Sequence, residues 1–204
     1  MLGLPKSTEV KHQLPKSRIF TTLQFSNAEQ ELFNADISRM DIIHEISSVT
    51  MAIEETETVH SIFVVQVLLK KLDYNPSNIV RLSKLIDQNM VFLLRLEEKA
   101  CLAVYLTKLF TSPVQPIGEL QLYLNGLNLE QIWQNIVLQI GNIQLVKNRT
   151  IEEQIHINDE MRRLERQIET LTAKVWNEKQ PHKKYQMNIE LQKLKAELHS
   201  LLEA

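Results

Sequence analysis

The last quarter of the chain carries a hydrophobic pattern that strongly constrains how it can fold. Over residues 150–204, apolar side chains recur at alternating steps of three and four, which is the a/d stripe of a coiled coil. Pro181 divides this region into two helices. The stripe, called the seam below, comprises Met161, Leu164, Ile168, Leu171, Val175, Met187, Leu191, Leu194, Leu198 and Leu201. Because so narrow a stripe must be buried against another helix, the sequence predicts a helical hairpin or coiled coil.

The seam can be covered in two ways, by the other arm of the hairpin or by a second molecule. Its apolar residues outnumber what two short helices cover with ease, which favours contact with another copy of the chain or with a different protein. Either contact would use one set of side chains. The predicted partner-binding residues are Leu164, Ile168, Leu171, Leu191, Leu194 and Leu198.

Composition limits the class of protein. A chain of 204 residues suits one domain plus an appendage, or two small domains. Its net charge of −2 gives no global basic field, so binding of nucleic acid by bulk charge is not expected, although a local basic patch stays open. No apolar run approaches the roughly 20 residues of a membrane helix. The N-terminus has no signal-peptide core, which predicts a cytoplasmic protein without a membrane contact.

The middle of the chain reads as a mixed sheet with helices. Residues 59–69 are apolar on both faces, which predicts a central buried strand. A helix is expected to start at Asn75-Pro76, and the apolar runs 90–96 and 100–106 predict a hairpin. We also expect an alternating strand at 49–53. The fold class is therefore α+β, a mixed sheet with packed helices followed by the C-terminal hairpin.

Three regions are predicted along the chain. Residues 1–125 form the α+β domain, with a possible edge strand through Leu120, Leu122 and Leu124. Residues 126–149 form a connecting amphipathic helix whose broad apolar face docks on the sheet or on another chain. Residues 150–204 form the hairpin, and Thr150 with Glu153 makes a capping box at its start.

The strand before Lys70 invites comparison with a metal-dependent nuclease. Such sites place an acid on one strand and an acid two residues before a lysine on the next, so that the acids hold a divalent ion. Here Leu68 occupies the expected acidic position. The catalytic candidates are therefore Glu54, Glu57, Gln66 and Lys70, and the pattern favours a degenerate nuclease-like fold over an active enzyme. The alternative is that Lys70 simply ends a strand in solvent.

Other chemistries find less support in the sequence. The six histidines show no pair at the spacing of four that places two imidazoles on one helix face. The single cysteine, Cys101, has apolar neighbours, which predicts a buried core residue and excludes a cysteine zinc site. The four glycines form no phosphate-binding cluster. We therefore predict no metal and no cofactor.

Basic residues near both ends suggest local contact with nucleic acid. The N-terminal segment repeats Leu-Pro-Lys-Ser ten residues apart, and each rigid Pro-Lys step presents a lysine at a fixed angle. The tip of the predicted hairpin is basic and carries aromatic side chains. Either patch could contact phosphates, or its lysines could simply be solvated helix caps. The candidate nucleic-acid-binding residues are Lys6, Lys16, Arg18, Lys183 and Lys184.

Several motifs together resemble one protein family. They are the opening Leu-Gly-Leu-Pro-Lys-Ser-Thr-Glu-Val, the Pro15-Lys16 echo, Trp-Asn-Glu-Lys-Gln from Trp176, and the leucine-rich segment 190–198. The chain resembles, nearly end to end, a bacterial family catalogued as domain of unknown function 4391. Members occur in bacteria and archaea, often encoded beside type III restriction–modification and helicase genes. The resemblance implies an accessory role in defence against foreign DNA and supplies no catalytic residues.

Together these features favour a non-catalytic accessory or interaction protein. The expected partner is a second copy of the chain or another protein, bound through the C-terminal coil. The family resemblance suggests a DNA methyltransferase, a helicase or a restriction subunit. A DNA-processing protein of nuclease-like fold and a local nucleic-acid binder are the alternatives.

Overall fold

The structure, a computed structural model, describes residues 2–146 and 149–203. The chain divides into two compact units, residues 1–144 and residues 145–204. The first unit holds a seven-stranded sheet and five helices among its described residues, and the second holds two long helices. The predicted α+β fold with a mixed sheet is therefore confirmed.

The sheet is formed by strands in nearly sequential order. Its path is β1-β2-β3-β4-β5-β6, and β7 pairs with β5. The β3–β4 pair is parallel and every other pair is antiparallel. A helix crosses over between β3 and β4, as a parallel connection requires. The strands are β1 Glu9–Gln13, β2 Ile37–Ser47, β3 Ser61–Leu69, β4 Asn89–Leu96, β5 Lys99–Tyr105, β6 Leu109–Thr111 and β7 Gln115–Pro116.

Helices cover both faces of the central strands. The helices of the first unit are α1 Lys16–Thr22, α2 Asn27–Asp36, α3 Ser48–Met51, α4 Pro76–Leu82 and α5 Leu129–Gly141. Residues of α1, α2 and α4 share one apolar core with alternate residues of the strands. Helix α5 contacts β3, β5 and β6. Because both faces are covered, these strands read as continuous apolar runs instead of alternating ones.

Several sequence predictions agree with the observed elements. The buried central strand is β3, the predicted hairpin is β4 and β5, and α4 begins at Pro76 with Asn75 as its cap. Cys101 is buried in the core. The helix expected as a connector is α5, and it lies against the sheet within the first unit.

Two predicted strands are wrong. The segment predicted as a strand at 49–53 contains α3 instead, because the Thr50 hydroxyl accepts a hydrogen bond from the Ser47 backbone N–H at 2.9 Å and caps a helical turn. The predicted edge strand through Leu120 and Leu122 is an extended segment outside the sheet. Both leucines are buried as the alternation requires, but the Leu122 N–H donates to the Leu2 carbonyl and not to a sheet strand.

The second unit is a helical hairpin. Helix α6, Ile151–Asn177, begins with the predicted capping box of Thr150 and Glu153, and α7 spans Pro181–Glu203. The two helices pack against each other. Leu164 and Leu191 are buried, and the other eight seam residues are half-buried. The seam is therefore the face on which the two helices meet.

Candidate functional site

The four nuclease candidates do not come together. Glu54 and Glu57 precede β3, and the backbone of Glu54 bridges to Asn128. Lys70 follows the other end of β3, so a strand of nine residues, about 30 Å long, separates it from the two glutamates. Gln66 is half-buried in the middle of the strand. This spread provides no common position for a metal ion bound by these side chains.

Lys70 instead lies beside Lys16 at the junction of α2 and β2. The Lys16 ammonium donates to Oδ1 of Asn34 at 2.8 Å and to the Ile37 carbonyl at 2.5 Å. The Lys70 ammonium donates to the Asn34 carbonyl at 2.6 Å. Burial, together with the charge of Lys70, holds the pKa of Lys16 below its usual value. The two lysines thus tie α1 and the end of β3 to this junction.

The adjacent Asp36 makes a second structural cluster. Its carboxylate accepts from the Asn75 backbone N–H at 2.8 Å and from the Asn78 side-chain amide at 2.9 Å, and it pairs with Lys71 at 2.9 Å. Burial opposes ionisation of Asp36, but the hydrogen bonds from Asn75, Lys71 and Asn78 outweigh it, so the pKa lies below its usual value. This carboxylate fastens the segment before α4 to the end of α2.

The opening motif also has a structural role. The Thr8 hydroxyl donates to the Pro5 carbonyl at 2.7 Å, so its oxygen is left to accept from Nδ1 of buried His44 at 2.9 Å. Burial is the main cause that holds the pKa of His44 below its usual value. The motif therefore anchors the N-terminal segment to β2.

The remaining basic candidates belong to different elements of the two units. Lys6 and Arg18 are exposed. In the sequence, Lys6 precedes β1 and Arg18 follows it. Lys183 and Lys184 are exposed in the first turn of α7. Within the described parts of the chain, no three His, Cys, Asp or Glu side chains are grouped so that they could hold a metal ion.

The hairpin carries a basic groove, called the flank groove below. Its volume is about 670 Å³, and both helices contribute to it. Arg163 lies 3.5 Å from Glu160 in an ion pair. Between residues 149 and 203, no ion pair or side-chain hydrogen bond is described for Arg162, Arg166 or Lys174. The groove is lined by Asp159, Arg162, Arg163, Arg166, Gln167, Thr170, Leu171, Lys174, Glu190 and Leu194.

A second surface lies on α7 and shares no residue with the flank groove. It is shallow and mostly apolar, and we call it the outer face of α7. Tyr185 is 67% exposed and Ile189 is 43% exposed. The outer face is lined by Tyr185, Asn188, Ile189, Gln192, Lys193 and Ala196. The two large exposed side chains, Tyr185 and Ile189, are four residues apart and therefore lie on one side of the helix.

The comparison with protein families gives one match. The chain matches the family described as "Domain of unknown function (DUF4391)" over residues 2–198. The chain belongs to the DUF4391 family. No curated protein and no solved structure matches it. Among the described residues of this DUF4391 chain, no helix has the length and hydropathy needed to cross a membrane.

The sequence reasoning missed the flank groove, although a signal for it was present. In this DUF4391 chain, residues 161–184 contain seven Lys or Arg against three Asp or Glu. Arg162 and Arg166 are four residues apart, a spacing that places two side chains on one face of a helix. By contrast, the approach of Lys16 to Lys70 joins distant parts of the chain and has no local sequence signal.

Proposed function

We propose that this protein is a non-catalytic accessory protein that binds another protein through its C-terminal hairpin. The family resemblance suggests the partner class, namely a DNA methyltransferase, helicase or restriction subunit of a restriction–modification complex. In this proposal the α+β unit is a scaffold. The observation that carries the proposal is the exposed apolar outer face of α7.

The contact is proposed at the outer face because the two arms of the hairpin already meet along the seam. Leu164 and Leu191, two of the predicted partner-binding residues, are 1% and 6% exposed. Tyr185, by contrast, is free to enter a partner's pocket. Tyrosine is among the residues that most often dominate binding energy in protein interfaces. The seam contact predicted from the sequence would require the hairpin to open.

The arrangement of the polar side chains supports the proposal that the protein is non-catalytic. The nuclease candidate Glu54 lies in the segment before β3, where it bridges to Asn128, whereas Lys70 directly follows β3. Lys70 and Lys16 hydrogen-bond to backbone and amide oxygens that hold the fold together. The residues proposed for the nuclease-like alternative therefore form no cluster of reactive groups.

Replacement of the outer-face anchors tests the proposal. We expect the Tyr185→Ser/Ile189→Ser double variant of the full-length protein to bind its partner at least about tenfold more weakly, because each buried anchor contributes more than about 1 kcal/mol. A purified DNA methyltransferase, a purified helicase and a purified restriction subunit, one of each proposed partner class, serve as the probes. Biolayer interferometry measures the dissociation constant for each.

The matched control is Tyr123→Ser/Leu127→Ser in the α+β unit. These side chains are 56% and 87% exposed, so their replacement removes a comparable apolar surface without opening the core. The control should bind with an unchanged dissociation constant. An equal loss in both double variants, or no binding of any of the three subunits by the unsubstituted protein, would contradict the proposal.

A further inference from the structure

The flank groove brings together more cationic than anionic side chains. Four Arg or Lys side chains face two carboxylates, Asp159 and Glu190, along its lining. Of the four, only Arg163 has a described ion pair within residues 149–203. Like charges held close together repel one another, so the groove gains stability when an anionic ligand enters it.

The cations of the groove are spread along the length of α6. Arg162 and Arg166 are separated by about 6 Å of helix rise, and Arg162 and Lys174 by about 18 Å. On α7, Lys183 precedes Glu190 by seven residues, or two turns, and so extends the same side of the helix towards the tip. A row of positive charge of this length suits an extended polyanion better than a single small anion.

The lining of the groove selects among polyanions. Gln167 and Thr170 add hydrogen-bonding groups, and only Leu171 and Leu194 are apolar, so the groove offers little to an apolar protein helix. The major groove of duplex DNA is about 12 Å wide and admits one helix of about 10–12 Å, not two packed helices. A single strand can instead lie in the concavity between α6 and α7.

We infer that the flank groove binds the phosphodiester backbone of single-stranded nucleic acid, with Arg162, Arg166 and Lys174 as the main phosphate contacts. This activity goes beyond the proposed protein contact. The groove and the outer face of α7 have no residue in common, so either activity can be lost without the other. Binding through the backbone is independent of base sequence and weakens steeply as salt increases.

The test uses the full-length protein and a fluorescent oligothymidylate of about 20 nucleotides. Fluorescence anisotropy measures its dissociation constant between about 50 and about 200 mM salt. We expect Arg162→Gln/Arg166→Gln to weaken binding at least about tenfold at the lowest salt concentration. The slope of log affinity against log salt should also become shallower by about 1.4, since each lost contact with a single strand contributes about 0.7.

The matched control is Lys193→Gln/Lys195→Gln, which removes the same charge from exposed positions of α7 outside the groove. Glutamine is a good helix former, and circular dichroism verifies that both double variants keep their helices. The control should change the dissociation constant less than about twofold, the factor expected when no phosphate contact is lost. An equal loss in both variants would overturn the inference.

Three further outcomes would also overturn the inference. The first is no saturable binding of the oligonucleotide by the unsubstituted protein at the lowest salt concentration. The second is tighter binding of the matching duplex than of the single strand. The third is binding of polyglutamate as tight as that of the oligonucleotide, which would assign the groove to an acidic protein segment. The Tyr185→Ser/Ile189→Ser variant should bind the oligonucleotide normally.

Discussion

Replacement of Phe33 by alanine is expected to lower the free energy of unfolding of the α+β unit by about 4 kcal/mol. Phe33 is fully buried in α2, and its ring packs edge-on at 5.5 Å from the rings of Phe20 and Phe25. The substitution removes the buried ring, leaves a cavity and breaks both aromatic contacts. A loss of this size is a large fraction of the about 5–15 kcal/mol that stabilises a typical domain.

Urea unfolding followed by tryptophan emission measures this loss. Trp133 lies in α5 and is 8% exposed, whereas Trp176 lies in the hairpin and is 84% exposed, so the emission shift reports mainly on the α+β unit. Leu32→Ala is the matched control, because Leu32 lies on the same helix but is 58% exposed. Its effect should stay within about 0.5 kcal/mol. Equal unfolding midpoints for the two variants would contradict the described core.

The second large effect is expected at Asp36. Replacement by alanine should lower the free energy of unfolding by about 2–3 kcal/mol at neutral pH, because the buried Asn78 amide and the Asn75 N–H lose their acceptor. Lys71 also loses its ion pair, but this lysine is half exposed and adds little. Urea unfolding of both proteins at pH 7 measures the difference.

The effect at Asp36 should depend on pH. Since the folded-state pKa of Asp36 lies below its usual value, the carboxylate stabilises the protein above about pH 4, and this stabilisation is lost as the pH falls further. The difference between the unsubstituted protein and Asp36→Ala should therefore narrow below about pH 4. Asp87→Ala at an exposed position is the control and should show no such narrowing. A constant difference across this pH range would contradict the assigned role.

The sequence predicts those parts of the fold in which one interaction dominates. β3 and β4 are covered on both faces, and their long apolar runs reveal them. The periodicity of α5 and of the seam likewise follows directly from what each helix buries. The capping box at Thr150 is visible because its two partners are three residues apart.

The elements of the fold that the sequence did not predict correctly also have local causes. β1 is a polar edge strand whose side chains are mostly exposed, so it is held mainly by backbone hydrogen bonds to β2, which leave no hydrophobic pattern. The α3 segment alternates as a strand does, but the Ser47 and Thr50 side chains cap a helical turn there. Leu120 and Leu122 show that alternate burial does not require a sheet ladder.

The candidate sites also divide into those that depend on the tertiary fold and those that depend on residues close together in the sequence. The contact of Lys16 with Asn34 and the nearby contact of Lys70 depend on how α1, α2 and β3 pack, so the tertiary fold alone brings these lysines together. The flank groove depends on charges within one helix and on the partner helix of the same hairpin. Its basic side was therefore accessible to sequence reasoning, whereas its concave shape was not.

Hydrogen–deuterium exchange of the full-length protein, alone and with the partner subunit that binds it most tightly, tests the central claim that the hairpin is the binding surface. The account predicts slower exchange within residues 181–203, which include the outer face of α7, and no change in the central strands β2 to β5. Slower exchange in those strands with none in α7 would contradict it, because the α+β unit would then be the binding surface.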